Sequence, residues 1–380
     1  LGRKGEDEFL ILLSQIDEDV SHDPNLPARQ TAELTEKATV VASRVVAALQ
    51  TPFDLQGQKV HVEASIGISL CPGDAENAQQ LFEHAYMAVS FSKDHGRGRC
   101  EIFNALIHEQ QLRRLILENQ LRMGLREGQF CLYYQPIVEL STRHVVGVEA
   151  LLRWNHPEQG LVRPRDFLSV AEESGVIVAL GEWVLREGTR QLRKWWEEGL
   201  ELFLCLNISA RQLLQADLPS VMLGVLGESQ VDPKQVVLDI AEGIGTMMEP
   251  EHLSSVLVNL GGTGVKVAID DFGTGSSSMK TLRLEHTRLL KIASAFVTGI
   301  PGDRQSMSIC LAAIRLAGSL NMKSLAQGVE TERQCNYLDK NECDMGQGFF
   351  FSHAVPPDEI PALVRQGKPG NEIIGLPPGK

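Results

Sequence analysis

Val265-Lys266-Val267-Ala268-Ile269-Asp270-Asp271-Phe272-Gly273-Thr274-Gly275 is an alternating β-branched run that stops at two adjacent carboxylates and a Gly-Thr-Gly turn. A buried strand favours Val and Ile, and paired glycines let the backbone turn sharply or approach a ligand closely. Two neighbouring Asp side chains at such a mouth repel each other unless a cation or a proton sits between them. Alone, Asp270 and Asp271 read equally well as the start of an ordinary turn, which Asp favours.

Outward from this stretch the pattern repeats. Short apolar runs occupy residues 130–138, 145–151, 202–206, 236–240, 265–269, 289–292, 322–325 and 344–348. Helical patterns separate them: a helix-rich segment 165–198, then 210–228, 251–260, 303–320, 332–340 and 357–366. This order predicts an α/β fold, a TIM-type (β/α)₈ barrel of about 250 residues. Chemistry in such barrels sits at the C-terminal strand ends. Those ends read Glu149, Asn207, Asp239, Asp270 with Asp271, Lys291, Gln327 and Gln347. Each alone is ordinarily a solvated loop residue; the series is hard to call decoration. Carboxylates and amide oxygens suit a hard cation such as Mg²⁺ or Mn²⁺, and no His or Cys joins them to suit zinc. With a Lys to steady a phosphate oxygen, the ring suits metal-assisted chemistry on a phosphate ester.

Residues Glu149-Ala150-Leu151-Leu152-Arg153-Trp154, Asn207-Ile208-Ser209-Ala210-Arg211-Gln212, Asp270 to Gly275 and Gly328-Val329-Glu330-Thr331 together resemble the EAL domain family. Tyr134-Gln135-Pro136-Ile137 and Gln347-Gly348-Phe349 extend the resemblance, which covers about residues 108–368. It implies a TIM-type barrel with one antiparallel strand that binds cyclic di-GMP. Active members hydrolyse the dinucleotide to pGpG with Mg²⁺ or Mn²⁺. Position by position, it implies Glu149, Asn207, Asp239 and Asp270 on a first metal, and Asp270 with Asp271 on a second. Lys291, Asp271 and the position of Gln327 take the catalytic roles. Gln135, Leu152, Arg153, Pro164, Asn207, Glu330, Gln347 and Phe349 contact the dinucleotide, and Phe167 and Glu172 to Gly175 fall in a helix that closes over it.

Four departures bear on activity. Where the family has Ala-Glu-Gly-Val-Glu this chain has Ala326-Gln327-Gly328-Val329-Glu330. The resemblance makes that first Glu the general base; neutral Gln cannot accept a proton, and losing a base costs roughly 10²–10⁴ in rate. It also leaves the cation weakly bound. The metal-binding Glu of the fourth strand is Asp239, shorter by about 1.5 Å of reach, and a misplacement of about 1 Å can cost on the order of 10²-fold. Glu242 replaces it only if the strand shifts. Ala293 stands where Asp follows the catalytic Lys, and Glu285-His286-Thr287-Arg288 replaces a Leu-Pro-x-Asp segment. Ser276-Ser277-Ser278 lacks the usual aromatic. The last two departures touch the family's dimerisation region.

Residues 1–104 read as an α/β unit: an acidic hairpin at Gly5-Glu6-Asp7-Glu8-Phe9, a helix over 34–49, a strand over 60–70, and a helix over 77–92 capped near Gly96. They resemble the C-terminal half of a GGDEF (diguanylate cyclase) domain, with Ala64-Ser65-Ile66-Gly67-Ile68, Lys93 and Gly96-Arg97 in matching places. Glu6 replaces the second signature glycine and Tyr86 the usual Asp, so no cyclase activity is expected. An amphipathic helix over 105–127 links this unit to a barrel over 128–368, with a tail over 369–380.

The 380 residues carry a net charge of −13, which argues against a nucleic-acid binder. Seven single cysteines without a CxxC pair indicate a reduced, cytoplasmic compartment. No run approaches the roughly 20 apolar residues of a membrane helix; Leu1-Gly2-Arg3-Lys4 opens in mid-motif as in a fragment, leaving an upstream anchor open. Three functions remain: a cyclic di-GMP receptor with a downstream protein partner and a possible homodimer, a slow phosphodiesterase, or a nucleotide-independent scaffold.

Overall fold

The computed structural model describes residues 2–3, 5, 8–13, 28–49, 52–55, 58–60, 62–71, 73–94, 98–246, 250–274 and 287–366. Glu6, Asp7, Gly96, Arg97, Gly275 to Ser278, Glu285, His286 and the 369–380 tail lie outside them. The chain divides into two compact units, Leu1–Ile116 and Leu117–Lys380.

In the first unit Gly2–Arg3 pairs antiparallel with Phe9–Leu10, the expected hairpin. Helices Ala28–Leu49 and Ala78–Asp94 accompany a parallel pair, Ile66–Ile68 with Cys100–Ile102. The single strand expected over 60–70 is two segments. Gln58–Val60 pairs with Phe53–Leu55 in a hairpin, while Ile66–Ile68 takes a partner from the far side of the helix. Val60 and Val62 are exposed, whereas Ile66 to Ile68 are half-buried. Gly67 is where the helix seats on the strand: a Cβ there would lie 2.1 Å from Ala85 O.

Among the described residues of the second unit, eight strands close into a barrel: β1 Phe130–Glu139, β2 Val145–His156, β3 Phe203–Ile208, β4 Val236–Ala241, β5 Lys266–Phe272, β6 Thr287–Ile292, β7 Lys323–Gln327 and β8 Met345–Gln347. Neighbours from β2 through β8 are parallel, and β1 closes the ring antiparallel to both β2 and β8. The expected barrel with its one reversed strand is therefore present.

Alternation divides the strands' side chains between two cores. Outward-facing residues such as Leu204, Leu206, Leu238 and Ile240 join helices Val176–Glu197, Leu218–Ser229, Pro250–Gly262 and Arg304–Ser319 in the large core. Inside the barrel, Ile137, Cys205, Val237, Ala268, Leu289, Leu325 and Met345 form one apolar layer, one residue from each strand except β2. That plug is the floor of the site.

Two elements differ from expectation. The helix read over 210–228 is two, Ala210–Leu213 and Leu218–Ser229. Ser209 and Gln212 form a capping box that starts a single turn, and Pro219 suits the first turn of the second helix. Strand β2 runs five residues past Leu151, because beyond Ala150, where β3 leaves it, it continues as a ribbon paired with β1 and with the short strand Gly160–Val162. Among the described residues no helix is long and apolar enough to cross a membrane.

Candidate functional site

The polar ring stands one layer above the plug, because residues two apart share a strand face. Cys205 gives Asn207, Val237 gives Asp239, Ala268 gives Asp270, Leu289 gives Lys291, Leu325 gives Gln327 and Met345 gives Gln347. On reversed β1 the step runs from Ile137 back to Gln135, opposite Glu149 in register. Glu149 thus joins the ring from within β2 rather than from its end.

Lys291, fully buried, is the hub. Its Nζ donates to Glu149 Oε2 at 3.1 Å and to Asp239 Oδ2, and lies 3.8 Å from Asp270 Oδ1. Burial alone would depress its pKa, yet Asp239 and Glu149 hold it well above the usual lysine range. Burial likewise raises Asp239 and Asp270, with Lys291 opposing and Glu149 reinforcing. Glu149 is lowered despite burial, by Lys291 and by hydrogen bonds from Asn207 Nδ2 at 2.8 Å and Gln347 Nε2 at 2.9 Å. A buried carboxylate with three such partners is held ionised.

The Asp270-Asp271 pair sits on a register shift: Ile269 pairs with Leu290 and Phe272 with Ile292, so two residues of β5 face Lys291 alone. Such bulges re-aim side chains. Asp271 adopts a left-handed φ of 54° and is exposed, whereas Asp270 is half-buried. The turn is held from below: Gly273 N donates to Glu242 Oε2 at 3.0 Å, and Thr274 Oγ1 to Asp271 O at 2.9 Å. Glu242 therefore does not replace Asp239, and its role as an anchor was not foreseen. Its place just past β4, at the start of the 3₁₀ turn Glu242–Thr246, marks it only once the register with β5 is known.

Gln327 donates its amide to Asp270 Oδ1 at 2.9 Å, while its own Oε1 is buried without a partner. Asp239 Oδ1 and Gln347 Oε1 are also buried and unpartnered. Gln347 additionally donates to Gln135 Oε1 at 3.1 Å, and Gln135 to Ser352 O at 3.1 Å. At the rim, Arg153 lies 5.5 Å over the Tyr133 ring and donates to Leu152 O. Pro164 opens a short 3₁₀ turn before helix Leu168–Ser174. Phe349 is exposed beside His353, with ring centroids 4.0 Å apart. Glu330 is exposed in the turn before helix Glu332–Lys340, whose start Thr331 and Gln334 cap reciprocally. The structure thus gathers Gln135, Glu149, Asn207, Asp239, Asp270, Lys291, Gln327 and Gln347 into one network, with Asp271, Leu152, Arg153, Pro164, Glu330 and Phe349 outside its hydrogen bonds.

The donors are hard oxygens, and the orphaned Asp239 Oδ1 and Gln347 Oε1 fit a divalent cation. The carboxylates are, however, drawn onto Lys291, and among the described residues no three acidic, His or Cys side chains stand grouped as a metal site.

A family model described as "EAL domain" matches residues 118–354, and one described as "Diguanylate cyclase, GGDEF domain" matches residues 1–99. The chain is 34% identical over 365 residues to "Bifunctional diguanylate cyclase/cyclic di-GMP phosphodiesterase MucR" of Pseudomonas aeruginosa, covering 96% of this chain and 51% of that protein. It is 33% identical over 357 residues to "Cyclic di-GMP phosphodiesterase PdeR" of Escherichia coli, covering 94% and 51%. The chain spans about half the length of these curated relatives. Among solved structures, "PaMucR Phosphodiesterase, c-di-GMP complex" is 37% identical with a TM-score of 0.61, covering 64% of this chain and 99% of that one.

Proposed function

The chain belongs to the EAL domain family, with a GGDEF-domain segment before the barrel, and from this we propose that it is a cyclic di-GMP signalling protein whose barrel binds the dinucleotide with little or no hydrolysis. One observation carries the second half of that reading: Gln327 presents an N–H to Asp270 where a base would have to accept a proton. An amide cannot take a proton from water, and base loss alone removes roughly 10²–10⁴ of rate. Glu149, Asn207, Asp239, Asp270 and Asp271 would hold Mg²⁺ or Mn²⁺, which when bound polarises a phosphodiester and acidifies water. Asp239, already held by Lys291, makes that binding weak. Lys291 keeps Glu149 ionised, opposes the protonation that burial favours at Asp239, and adds positive charge beneath the ligand's phosphates. Arg153, Leu152, Gln135, Pro164, Glu330 and Phe349 would line the dinucleotide, and a partner protein or a second copy would read its presence.

A second reading, a slow phosphodiesterase giving pGpG, draws on the unpartnered Asp239 Oδ1, an acceptor left for a cation. Calorimetry with cyclic di-GMP in Ca²⁺ tests binding, and absence of heat removes both nucleotide readings. Chromatography for pGpG in Mn²⁺ separates the two: turnover at ordinary enzyme rates ends the receptor reading.

A further inference from the structure

Apart from the main core, a second apolar cluster joins Leu121 of helix Ala105–Arg126, Phe130 of β1, Trp154 of β2, and Phe167, Ala171 and Leu180 from the segment that follows. Trp154 is its centre. The indole stacks on Phe130 at 5.4 Å, meets Phe167 edge-on at 5.6 Å and donates to Gln129 Oε1 at 3.0 Å. Gly124 of the helix packs directly on it: a Cβ there would lie 2.9 Å from Trp154 Nε1 and 3.0 Å from Gln129 Oε1.

Two connections lead from this cluster to the barrel mouth. Leu152 packs on both the cluster and the main core, and Arg153 is bonded to Trp154 in sequence. From Leu151 to Arg153, β2 has a strand partner on one side only, β1. The barrel's own hydrogen bonding therefore holds this rim from the β1 side alone, and Leu152 adds a packing contact with the cluster. The other connection is through helix Leu168–Ser174. Arg122 of the preceding helix donates to Ser174 O at 3.3 Å, and Arg211, four residues past Asn207, donates to Glu173 O at 3.0 Å. Two guanidinium groups from different elements thus satisfy carbonyls that the last turn leaves orphaned.

We propose that the helix preceding the barrel sets the affinity of the mouth, with Gly124, Gln129, Trp154 and Arg122 as positioning residues for Leu152, Arg153 and helix Leu168–Ser174. The proposal rests on the dinucleotide reading above. A shift of the helix against Trp154 moves the rim that carries Arg153, and a shift at Arg122 releases one end of the covering helix.

The test is calorimetry with cyclic di-GMP in Ca²⁺ on the whole chain, alongside thermal melting. Gly124→Leu must displace Trp154 and is expected to weaken binding by about 10-fold or more, within the range a misplacement of about 1 Å produces. Leu226→Ala, which opens the main core outside this cluster, lowers Tm but leaves Kd within twofold. Should Gly124→Leu not fold, Gly124→Ala and the exposed-site change Arg122→Ala carry the test, each expected to weaken binding several-fold. Unchanged affinity in Gly124→Ala and Arg122→Ala, or an equal loss in Leu226→Ala, overturns the proposal. If the wild-type chain itself gives no heat, the dinucleotide reading falls and takes the proposal with it.

Discussion

In a Gln327→Glu variant, a carboxylate replaces the amide that now donates to Asp270 Oδ1 from 2.9 Å. Two effects follow, and both can be sized. A hydrogen bond to a charged acceptor worth about 1.5–3 kcal/mol is lost. In its place two carboxylates face each other; at a separation of about 4 Å and an effective dielectric near 20, they repel by about 4 kcal/mol. A proton or a divalent cation relieves that repulsion. The variant is therefore expected to melt below wild type in chelator and to gain more than wild type from Mn²⁺. Catalysis follows the same logic. Restoring a base is worth at most roughly 10²–10⁴, while the short, Lys291-bound Asp239 withholds on the order of 10². We expect pGpG formation in Mn²⁺ to rise about 10-fold and to rise further in Gln327→Glu with Asp239→Glu. Melting with and without chelator, together with chromatographic pGpG rates, measures both effects. An unchanged rate with an unchanged Mn²⁺ shift would refute the reasoning, since neither the proton acceptor nor the charge at Gln327 would then matter.

Other consequences can be checked on the same protein. Lys291→Met leaves the buried carboxylates of Glu149 and Asp239 uncompensated and should cost about 3–5 kcal/mol in urea unfolding with chelator present; a loss below about 1 kcal/mol would mean the network does not depend on the ammonium. Asp344 accepts from Ser324 N and Oγ at 2.9 Å and pairs with Lys323, so its pKa is lowered although burial opposes this. A lowered folded-state pKa stabilises above the unfolded value of about 3.9 and fades as pH falls through the folded one. Asp344→Ala, leaving the buried Ser324 unsatisfied, should cost about 1–3 kcal/mol at pH 7, with the difference from wild type shrinking on acidification below about pH 4. Thr331→Ala removes one arm of the capping box after β7 and should lower stability by about 1 kcal/mol.

Much of the barrel was legible because alternation is a local property. Each of β3 through β8 carries an apolar residue two positions before its polar one, as in Cys205 and Asn207 or Leu325 and Gln327. Of the elements that departed, the 210–228 helix breaks at a local capping box, and the other two have non-local causes. Strand β2 is long because β1 and Gly160–Val162 lengthen it, and the 60–70 run splits because its ends pair with different partners. Glu242 stayed illegible for a similar reason: only the packing of β4 beside β5 places its carboxylate under Gly273.

What the chain's order of residues determined by itself is the family, the barrel and the chemistry of the ring, since all three follow from residue types at fixed spacings along single strands. It also revealed that position 327 holds an amide. What tertiary structure alone decided is how those residues spend their charge. Lys291 stands among three carboxylates, the amide of Gln327 turns its N–H toward Asp270, and the bulge separates a half-buried Asp270 from an exposed Asp271. Protonation, hydrogen bonding and exposure depend on neighbours brought from strands far apart in sequence, and closure of the ring is what makes them neighbours.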